Sequence, residues 1–174
     1  MVRAEDERQY TEYVTARLPT LRRTAFLLCG DEHRADDIVQ AAITKLYVHW
    51  RRVSTVDNLD AYVRSMVVRT FLSEQRLGWF RRTSLVGAPE ETPDRPAPAT
   101  NEVETRMVLH RALARIAPKA RAVLVLRFLL DASVADTAAA LGCSAGTVKS
   151  QTALGLANLR RQLGDQLPAT VGKE

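Results

Sequence analysis

The sequence predicts an all-α protein built from two small helical domains that are joined by a proline-rich extended linker. Three observations lead to this prediction. Apolar residues recur at helical spacing along most of the chain, and strand signals are weak throughout. Four of the seven prolines fall between residues 87 and 100, where no regular helix can form. Helical patterns lie on both sides of that interruption.

The proline-rich segment marks the boundary between the domains. It has almost no large apolar side chains to bury, so we expect an extended linker over residues 85–100. The expected domains are residues 1–84 and residues 101–174, each large enough for a few packed helices. We expect two compact lobes joined by a flexible connection.

Three helices are predicted in the first domain, each with an apolar stripe. Pro19 lies inside the first pattern and is expected to bend or interrupt that helix. Gly30 and Asp31 indicate the end of one helix and the start of the next. The stripes are Val14, Leu18, Leu21, Ala25 and Leu28; Val39, Ile43, Leu46, Tyr47 and Trp50; and Leu59, Tyr62, Val63, Met66 and Val67.

The second domain begins with an amphipathic pattern over residues 103–116, and Pro118 suits the first turn of the next helix. The continuous apolar run at residues 123–126 predicts that this next helix, which we expect to reach Leu130, is the most buried one. A buried strand would give a similar run, but nothing nearby offers it a pairing partner.

The strongest local pattern is the register of a helix-turn-helix. Ala138 lets two helices approach closely, Gly142 supplies the backbone freedom of a tight turn, and Val148 anchors the second helix to the first. Ser144 is a good N-cap residue for the second helix. The outer face of that helix is therefore predicted to enter a DNA major groove.

The outer face of this recognition helix is predicted to carry seven candidate DNA-binding residues. Lys149 would contact phosphate, and the amide of Gln151 can both donate and accept at a base edge. A surface helix unrelated to DNA is less favoured, because the whole turn register is present. The seven residues are Ser144, Ala145, Thr147, Lys149, Ser150, Gln151 and Leu154.

A cationic stretch occupies residues 64–82, where five arginines accompany a single acid. Cations interleaved with aromatic rings suit nucleic acid, because guanidinium groups hold phosphates and rings stack on bases. A solvated helix face followed by two core aromatics explains the pattern equally well. The candidate nucleic-acid-binding residues here are Arg64, Ser65, Arg69, Ser73, Arg76, Trp79, Arg81 and Arg82.

No pattern predicts catalysis. Asp36 and Asp37 are adjacent acids near the start of a predicted helix, where carboxylates stabilise the helix dipole, although a docking surface shared with Gln40 is a further interpretation. The sequence has no glycine-rich phosphate loop, nucleophile elbow or metal-binding His-Glu motif. We therefore expect a protein that is not an enzyme and that needs no cofactor and no metal.

The composition is that of a folded protein, and its positive net charge is compatible with binding nucleic acid. Apolar residues make up 46% of the chain, and the net charge is +5. Cys29 and Cys143 are expected to be small buried side chains. The amino terminus lacks the hydrophobic core of a signal peptide, and no apolar run approaches a membrane span. We expect a cytoplasmic protein without a membrane partner.

Four segments in order resemble the motifs of the extracytoplasmic-function (ECF) sigma factors, the small two-domain specificity subunits of bacterial RNA polymerase. The likeness is greatest to the short actinobacterial members. The segments are Ala35-Asp36-Asp37-Ile38-Val39-Gln40, Ala61-Tyr62-Val63-Arg64, the stretch from Ile116 to Phe128, which is similar to Leu-Pro-x-x-x-Arg-x-Val-Leu-x-Leu-Arg-Tyr, and the stretch from Leu141 to Ser150.

The resemblance implies a role for each surface. Asp36, Asp37, Ile38 and Gln40 would bind core RNA polymerase at its clamp helices. The cationic stretch would hold the melted single strand of the −10 promoter element, and the helix-turn-helix would read duplex −35 DNA. The resemblance also implies association with the nucleoid in the holoenzyme, and it adds an anti-sigma factor as a candidate partner.

The chain departs from the family pattern at contact positions. Arg69 and Ser73 stand where the −10-reading helix of the family usually carries asparagine and aspartate. Gln151 and Leu154 stand where its recognition helix often carries arginine. We therefore expect altered sequence preferences at both promoter elements and weaker phosphate contacts at −35.

Two other classes of function fit parts of the pattern. A dimeric helix-turn-helix regulator would bind duplex DNA without polymerase, but the apparent docking and strand-binding segments argue against it. A helical interaction module or an unrecognised enzyme would show no DNA affinity, and no active-site pattern supports the enzyme.

Overall fold

The computed structural model describes the backbone of residues 4–84 and 101–164, and side chains for most of them. These residues form seven α-helices and one π-helical segment, and they contain no β-strand. The all-α prediction is confirmed. The predicted linker, residues 85–100, lies outside the described residues.

Three helices form the first domain: α1 (Ala4–Cys29), α2 (Glu32–Val53) and α3 (Leu59–Ser84). Each packs against the other two. Their predicted apolar stripes face the interior, and the largest fully buried side chain is Phe71 of α3. Aromatic rings from α1 and α2 close one end of the bundle, where Tyr10 meets Tyr47 and Trp50 edge to face.

The predicted interruption at Pro19 does not occur, because α1 continues through it as one helix of 26 residues. Proline removes the amide that would donate to the carbonyl of Thr15. Both residues are exposed, so water can satisfy that carbonyl and the helix loses little. Leu21, Ala25 and Leu28 then bury the second half of α1 in the core.

Four helices form the second domain: α4 (Asn101–Ala114), α5 (Pro118–Leu124), α6 (Val134–Leu141) and α7 (Ala145–Leu163). Pro118 begins α5, as predicted. A π-helical segment (Val125–Leu129) continues α5, and its closing hydrogen bond runs from the Leu130 amide to the Val125 carbonyl at 3.0 Å. The segment leaves Phe128 and Leu129 exposed.

The residues at 123–126 are all buried, because α5 and the π-helical segment lie between two hydrophobic cores. One face contributes Ala120 and Leu124 to a small core within the second domain. The other contributes Ala122, Val125 and Leu126 to a larger core that also contains the first-domain stripes; we call this the shared core. The continuous apolar run thus reflects burial on both sides.

The shared core corrects one expectation. The two helical domains are present, but they do not form separate lobes in this structure. Besides the shared core, α3 packs against α6 and α1 packs against α4. The sequence pattern could not reveal this association, since each domain also has enough apolar residues for a core of its own.

Arg121 of α5 is a buried charge at the junction of the domains. Its side chain is 7% exposed, and its guanidinium donates to the carbonyls of Ala114 and Ile116 at 2.8 and 2.9 Å and to that of Leu28 in α1 at 2.7 Å. These carbonyls lie at or just beyond the carboxyl ends of α4 and α1, where the helix itself provides no donor. No ion pair among the described residues includes Arg121, so helix ends balance its charge.

Burial lowers the pKa of the Arg121 guanidinium from its usual value. The ring of Phe71 lies 5.7 Å from the guanidinium carbon and adds a favourable contact with the cation. Because an arginine pKa is so high, the group remains charged at neutral pH. Its carbonyl partners are therefore needed for the fold to tolerate it.

Replacing Arg121 with alanine is expected to lower the free energy of unfolding by about 3 kcal/mol, because buried carbonyls in both domains lose their donor. Urea denaturation followed by circular dichroism measures the change. Arg115→Ala, at an exposed side chain between α4 and α5, is the matched control and should change stability by less than about 0.5 kcal/mol. Equal effects of the two substitutions would contradict this role for Arg121.

Gly155 of α7 is buried against Leu124 of α5. A β-carbon built there would lie 2.9 Å from two Leu124 side-chain atoms, whereas one built at Gly146 of the same helix would approach only Ser144, at 3.7 Å. We expect Gly155→Ala to lower the melting temperature, because overpacking costs about 1–3 kcal/mol and outweighs the helix-propensity gain. Gly146→Ala should not lower it. A melting temperature of Gly155→Ala at or above that of Gly146→Ala would count against this packing.

Candidate nucleic-acid interface

The helix-turn-helix has the geometry that its residues predict. Ser133 caps α6 by accepting from the Asp136 amide at 3.0 Å. The helix ends at Gly142, whose φ of 63° is left-handed, and the Cys143 amide returns to the Ala138 carbonyl at 3.0 Å. The chain therefore turns within a few residues, and the start of α7 is fixed against α6.

The recognition helix α7 begins as predicted. The Ser144 hydroxyl accepts from the Thr147 amide at 3.1 Å, and Val148 is completely buried. Leu156 and Leu159 pack against the small core, which holds the rest of the helix. Of the seven candidate residues, Thr147 and Gln151 are half-buried and the others are exposed: Ser144, Ala145, Lys149, Ser150 and Leu154.

The cationic face of α3 is only partly exposed. Arg69, Ser73 and Arg76 are exposed, and Arg64 is half-buried. Ser65 does not lie on the outer face as expected, since it is 8% exposed and its hydroxyl donates to the Tyr62 carbonyl at 2.7 Å. The side chains of three further candidates lie outside those the structure describes: Trp79, Arg81 and Arg82.

Arg69 connects the two predicted DNA-binding surfaces. Its guanidinium donates from Nε to the Ala140 carbonyl at 2.7 Å and from Nη2 to the Ala139 carbonyl at 2.9 Å. Both carbonyls belong to the last turn of α6, so Arg69 caps the first helix of the helix-turn-helix. The sequence comparison shows that an arginine at position 69 departs from the pattern of the family that the chain resembles. Nothing in the sequence indicates that its partners are carbonyls about 70 residues away.

The acidic segment of α2 is positioned by a cap and by an ion pair. Asp31 caps the helix by accepting from the Arg34 amide at 2.7 Å. Asp36 is held by the Arg22 guanidinium of α1 through two hydrogen bonds of 2.6 and 2.8 Å. Asp37 and Gln40, one helical turn apart, are both exposed and can meet a partner.

Ile38 corrects a further expectation. It was expected to bind a partner directly, but it is 0% exposed and belongs to the shared core. The Ile38 side chain therefore packs α2 against the shared core, and this packing orients Asp37 and Gln40 outward. A direct contact would require α2 to leave the core.

Charged groups of α1 and α2 lie close to acidic side chains of α3 at two points. Near its start, Arg17 and the Tyr13 hydroxyl both donate to the Asp60 carboxylate, and the hydrogen bond from Arg17 is the main reason that the Asp60 pKa is lowered. Further along, burial raises the pKa of Glu74, an effect that nearby Asp37 reinforces and Arg34 opposes. The α2 and α3 surfaces are thus electrostatically connected.

The described residues contain no cluster of three or more side chains that could hold a metal ion. An apolar groove of about 240 Å³ is lined by α4, α5, the π-helical segment and α7, and the one titratable side chain among its described lining residues is Arg160. Such a lining can hold apolar side chains but offers no acid, base or nucleophile.

Cys29 and Cys143 are not joined in a disulfide; Cys29 is buried as expected, whereas Cys143 is half-buried. No described helix has the length and apolar character needed to cross a membrane.

Two family models match the chain, in the order of its two domains. Sigma-70 region 2 matches residues 13–81 and Sigma-70, region 4 matches residues 106–159. The first match covers the α2 segment and most of the cationic face of α3. The second covers the helix-turn-helix.

Curated relatives match nearly the whole chain. An RNA polymerase sigma-E factor of Streptomyces coelicolor is 38% identical over 89% of this chain and 86% of the relative. The ECF RNA polymerase sigma factor SigM of Mycobacterium tuberculosis is 33% identical over 83% of this chain and 71% of the relative.

Two solved structures share the fold. The sigma factor RpoE of Bartonella quintana, in complex with the anti-sigma factor NepR, matches with a TM-score of 0.73 at 23% identity, over 91% of this chain and 99% of the other. CnrH, in complex with the cytosolic domain of CnrY, matches with a TM-score of 0.59 at 20% identity, over 90% and 88%. With the whole-chain relatives and the two region matches, this places the chain in the family of ECF RNA polymerase sigma factors.

Proposed function

We propose that this chain binds core RNA polymerase and directs it to promoters, where it recognises duplex −35 DNA and holds the melted −10 strand. The observation that carries the proposal is that regions 2 and 4 of a sigma factor occur here with an exposed acidic segment, a cationic helix face and an exposed recognition helix. The work of such a factor is recognition and strand capture, and it needs no catalytic group.

Recognition at −35 is assigned to α7. Its N-terminus is capped by Ser144 and carries exposed residues, so the positive end of the helix can approach phosphate. Lys149 adds a positive charge that can contact the phosphate backbone of the DNA, while Gln151 can form a bidentate contact with a base edge. Leu154 is 49% exposed and offers an apolar contact, for example to a thymine methyl group.

Strand capture at −10 is assigned to the α3 face. Arg64, Arg69 and Arg76 can bind phosphates along the displaced strand, and Ser73 can hydrogen-bond to a base or phosphate. Trp79, Arg81 and Arg82 are proposed to extend this surface. Ser65, which is buried, supports α3 from within. Unpaired bases gain a protein surface that duplex DNA cannot occupy, and this favours opening.

Docking on core polymerase is assigned to Asp37 and Gln40 on α2. Asp36 contributes by holding α2 to α1 through Arg22. Ile38 contributes by packing. Because α2 and α3 share the core, a polymerase bound to α2 would carry the strand-binding face of α3 with it.

We assign residues 1–84 to the polymerase and −10 functions, residues 85–100 to the linker and residues 101–174 to the −35 function. The structure of RpoE contains the anti-sigma factor NepR, so we propose an anti-sigma protein as a further partner of this chain. The place of action is the cytoplasm, where core polymerase binds DNA, and the bound factor is nucleoid-associated.

Reconstitution tests the proposal. The purified full chain is incubated with actinobacterial core polymerase, and promoter sequences are selected from a randomised DNA library by the complex. Co-elution with core enzyme and run-off transcription from the selected DNA are the expected results. Selection of tight duplex sites by the chain alone, as a dimer and without polymerase, would instead support a helix-turn-helix regulator.

Reversing the charge of Asp37 is expected to weaken binding to core polymerase by about tenfold or more, since a cation replaces the exposed carboxylate of the proposed docking surface. Binding is measured by fluorescence anisotropy of the labelled full chain. Glu12→Lys makes the same change at an exposed position of α1 and serves as the control. Equal affinities of Asp37→Lys and Glu12→Lys would remove Asp37 from the interface.

Lys149 and Gln151 should have different effects on −35 binding by the holoenzyme. Lys149→Ala is expected to weaken binding to all selected sites alike and to reduce the slope of log affinity against log salt by about 1. Gln151→Ala should leave that slope unchanged and relax the preference at one base pair, at a cost of about 1–3 kcal/mol for the preferred base. Identical salt slopes for Lys149→Ala and the unmodified chain would contradict the phosphate assignment.

A further inference from the structure

We infer that a pocket between α1 and α3 binds a single cytosine nucleotide, whose base is read by Asp60 and whose phosphate is held by arginine. The pocket has a volume of about 230 Å³ and is lined by Tyr13, Arg17, Thr20, Leu21, Asp60 and Arg64. This volume suits one nucleotide, because sites for drug-sized ligands usually measure roughly 300–1,000 Å³. The cytosine can belong to a free nucleotide or to a single strand, and the two sources are distinguished by experiment.

The pocket is separate from the α3 face proposed for the −10 strand. Asp60 is held by side chains of α1, whereas Arg69 donates to carbonyls of α6. Nine residues lie between these positions, or about two and a half helical turns, so the two side chains leave α3 on opposite sides. Arg64 is the one pocket residue that also belongs to the proposed strand-binding set. The α1 side of α3 therefore offers a second place for a nucleotide.

Asp60 presents one open carboxylate oxygen in a fixed position. Its Oδ1 accepts from the Tyr13 hydroxyl at 2.8 Å and from Arg17 Nε at 2.9 Å, while no hydrogen bond from a described residue reaches Oδ2. The hydrogen bond from Arg17 is the main cause of the lowered Asp60 pKa, so the carboxyl group is ionised at neutral pH. Burial, reinforced by the bond to Asp60, raises the pKa of Tyr13, so its hydroxyl remains a donor. Oδ2 can therefore accept a hydrogen bond from a ligand.

Two arginines add donors on the same walls. Arg17 binds Asp60 through Nε, and the hydrogen bond from Arg64 Nε to the Asp60 carbonyl is long, at 3.4 Å. The terminal nitrogens of Arg64 have no hydrogen bond to a described residue, and those of Arg17 do not bind Asp60, so both can donate to a ligand. Two cations beside one carboxylate also leave an excess positive charge, which a phosphate would neutralise.

The balance of open groups selects cytosine among the bases. The pairing edge of cytosine presents one donor, the N4 amino group, followed by two acceptors, N3 and O2. The pocket offers the complement, which is one open carboxylate oxygen beside several guanidinium donors. Guanine would need two acceptors and one donor, and uracil or thymine would place the O4 carbonyl against the ionised Asp60. The Tyr13 ring and Leu21 provide apolar surface for the flat base.

Asp60→Asn tests how the base is read. Asparagine can keep its Oδ1 for Tyr13 and Arg17, while an amide donor replaces the open carboxylate oxygen. That donor matches the O4 carbonyl of uracil and not the N4 amino group of cytosine. Asp57→Asn makes the same charge change at an exposed position between α2 and α3 and is the matched control. Circular dichroism checks that each variant retains its helices.

Two binding measurements on the full chain distinguish the sources. Calorimetric titration with cytidine 5′-monophosphate or uridine 5′-monophosphate measures binding of the free nucleotide. Fluorescence anisotropy of labelled thymidine strands of about 12 nucleotides, with one central cytosine or uracil, measures binding within a strand. We expect the unmodified chain and Asp57→Asn to prefer cytosine over uracil by about tenfold in at least one measurement. Asp60→Asn should bind uracil at least as tightly as cytosine.

Arg64→Ala examines the phosphate contact with the free ligand. We expect the unmodified chain to bind cytidine 5′-monophosphate about tenfold more tightly than cytidine, and Arg64→Ala to lose most of that advantage because a phosphate donor is removed. The preference for cytosine over uracil should remain, since Asp60 is intact.

A cytosine preference with the free nucleotide assigns the pocket to a soluble ligand, and a preference in the strand alone assigns it to nucleic acid. Equal affinities for cytosine and uracil in both measurements, or no binding in either, overturn the inference. An unchanged cytosine preference in Asp60→Asn overturns it as well. These results are independent of the −10 role, because that role fails only if the chain with core polymerase does not start transcription at a selected promoter.

Discussion

The arrangement of this protein depends on how it buries one arginine. Arg121 is 7% exposed, and its Nη1 and Nη2 donate to three carbonyls from the ends of α1 and α4 and from the turn after α4, whereas its Nε has no hydrogen-bond partner. Burying a guanidinium here is unfavourable unless it forms hydrogen bonds. The carbonyls at helix ends are available to accept them, because these carbonyls lack donors within their own helix. The charge therefore selects an arrangement in which α1, α4 and α5 converge. The two-sided burial of α5 follows from this convergence.

Arg69 repeats the same chemistry at the surface, with a different consequence. It also caps the end of a helix, but it is exposed, so water can replace either carbonyl at modest cost. The buried contact of Arg121 is largely satisfied within its own domain, whereas the contact of Arg69 lies wholly between domains. The interface between the domains therefore combines the apolar shared core with two arginine contacts, one buried and one exposed.

Local rules predicted the parts of the site that depend on neighbours in sequence. The left-handed Gly142, the Ser144 cap and the buried Val148 all follow from the turn register. The outward placement of Ser65 failed, because the helical pattern leaves the inward direction of α3 open by about one position. The role of Ile38 was implied only by the family resemblance, and its side chain is buried. The association of the domains was missed for a different reason. Arg121 and Leu28 are 93 residues apart, and no periodicity in either segment records that they meet.

The contact of Arg69 with α6 also explains why an arginine suits position 69 better than an apolar residue would. A hydrophobic side chain would hold α6 on α3 through burial alone, and a DNA strand could not provide an equivalent environment. A guanidinium donates to carbonyl oxygens and to phosphate oxygens alike, so Arg69 can cap α6 and still offer donors to the strand that we propose for this face.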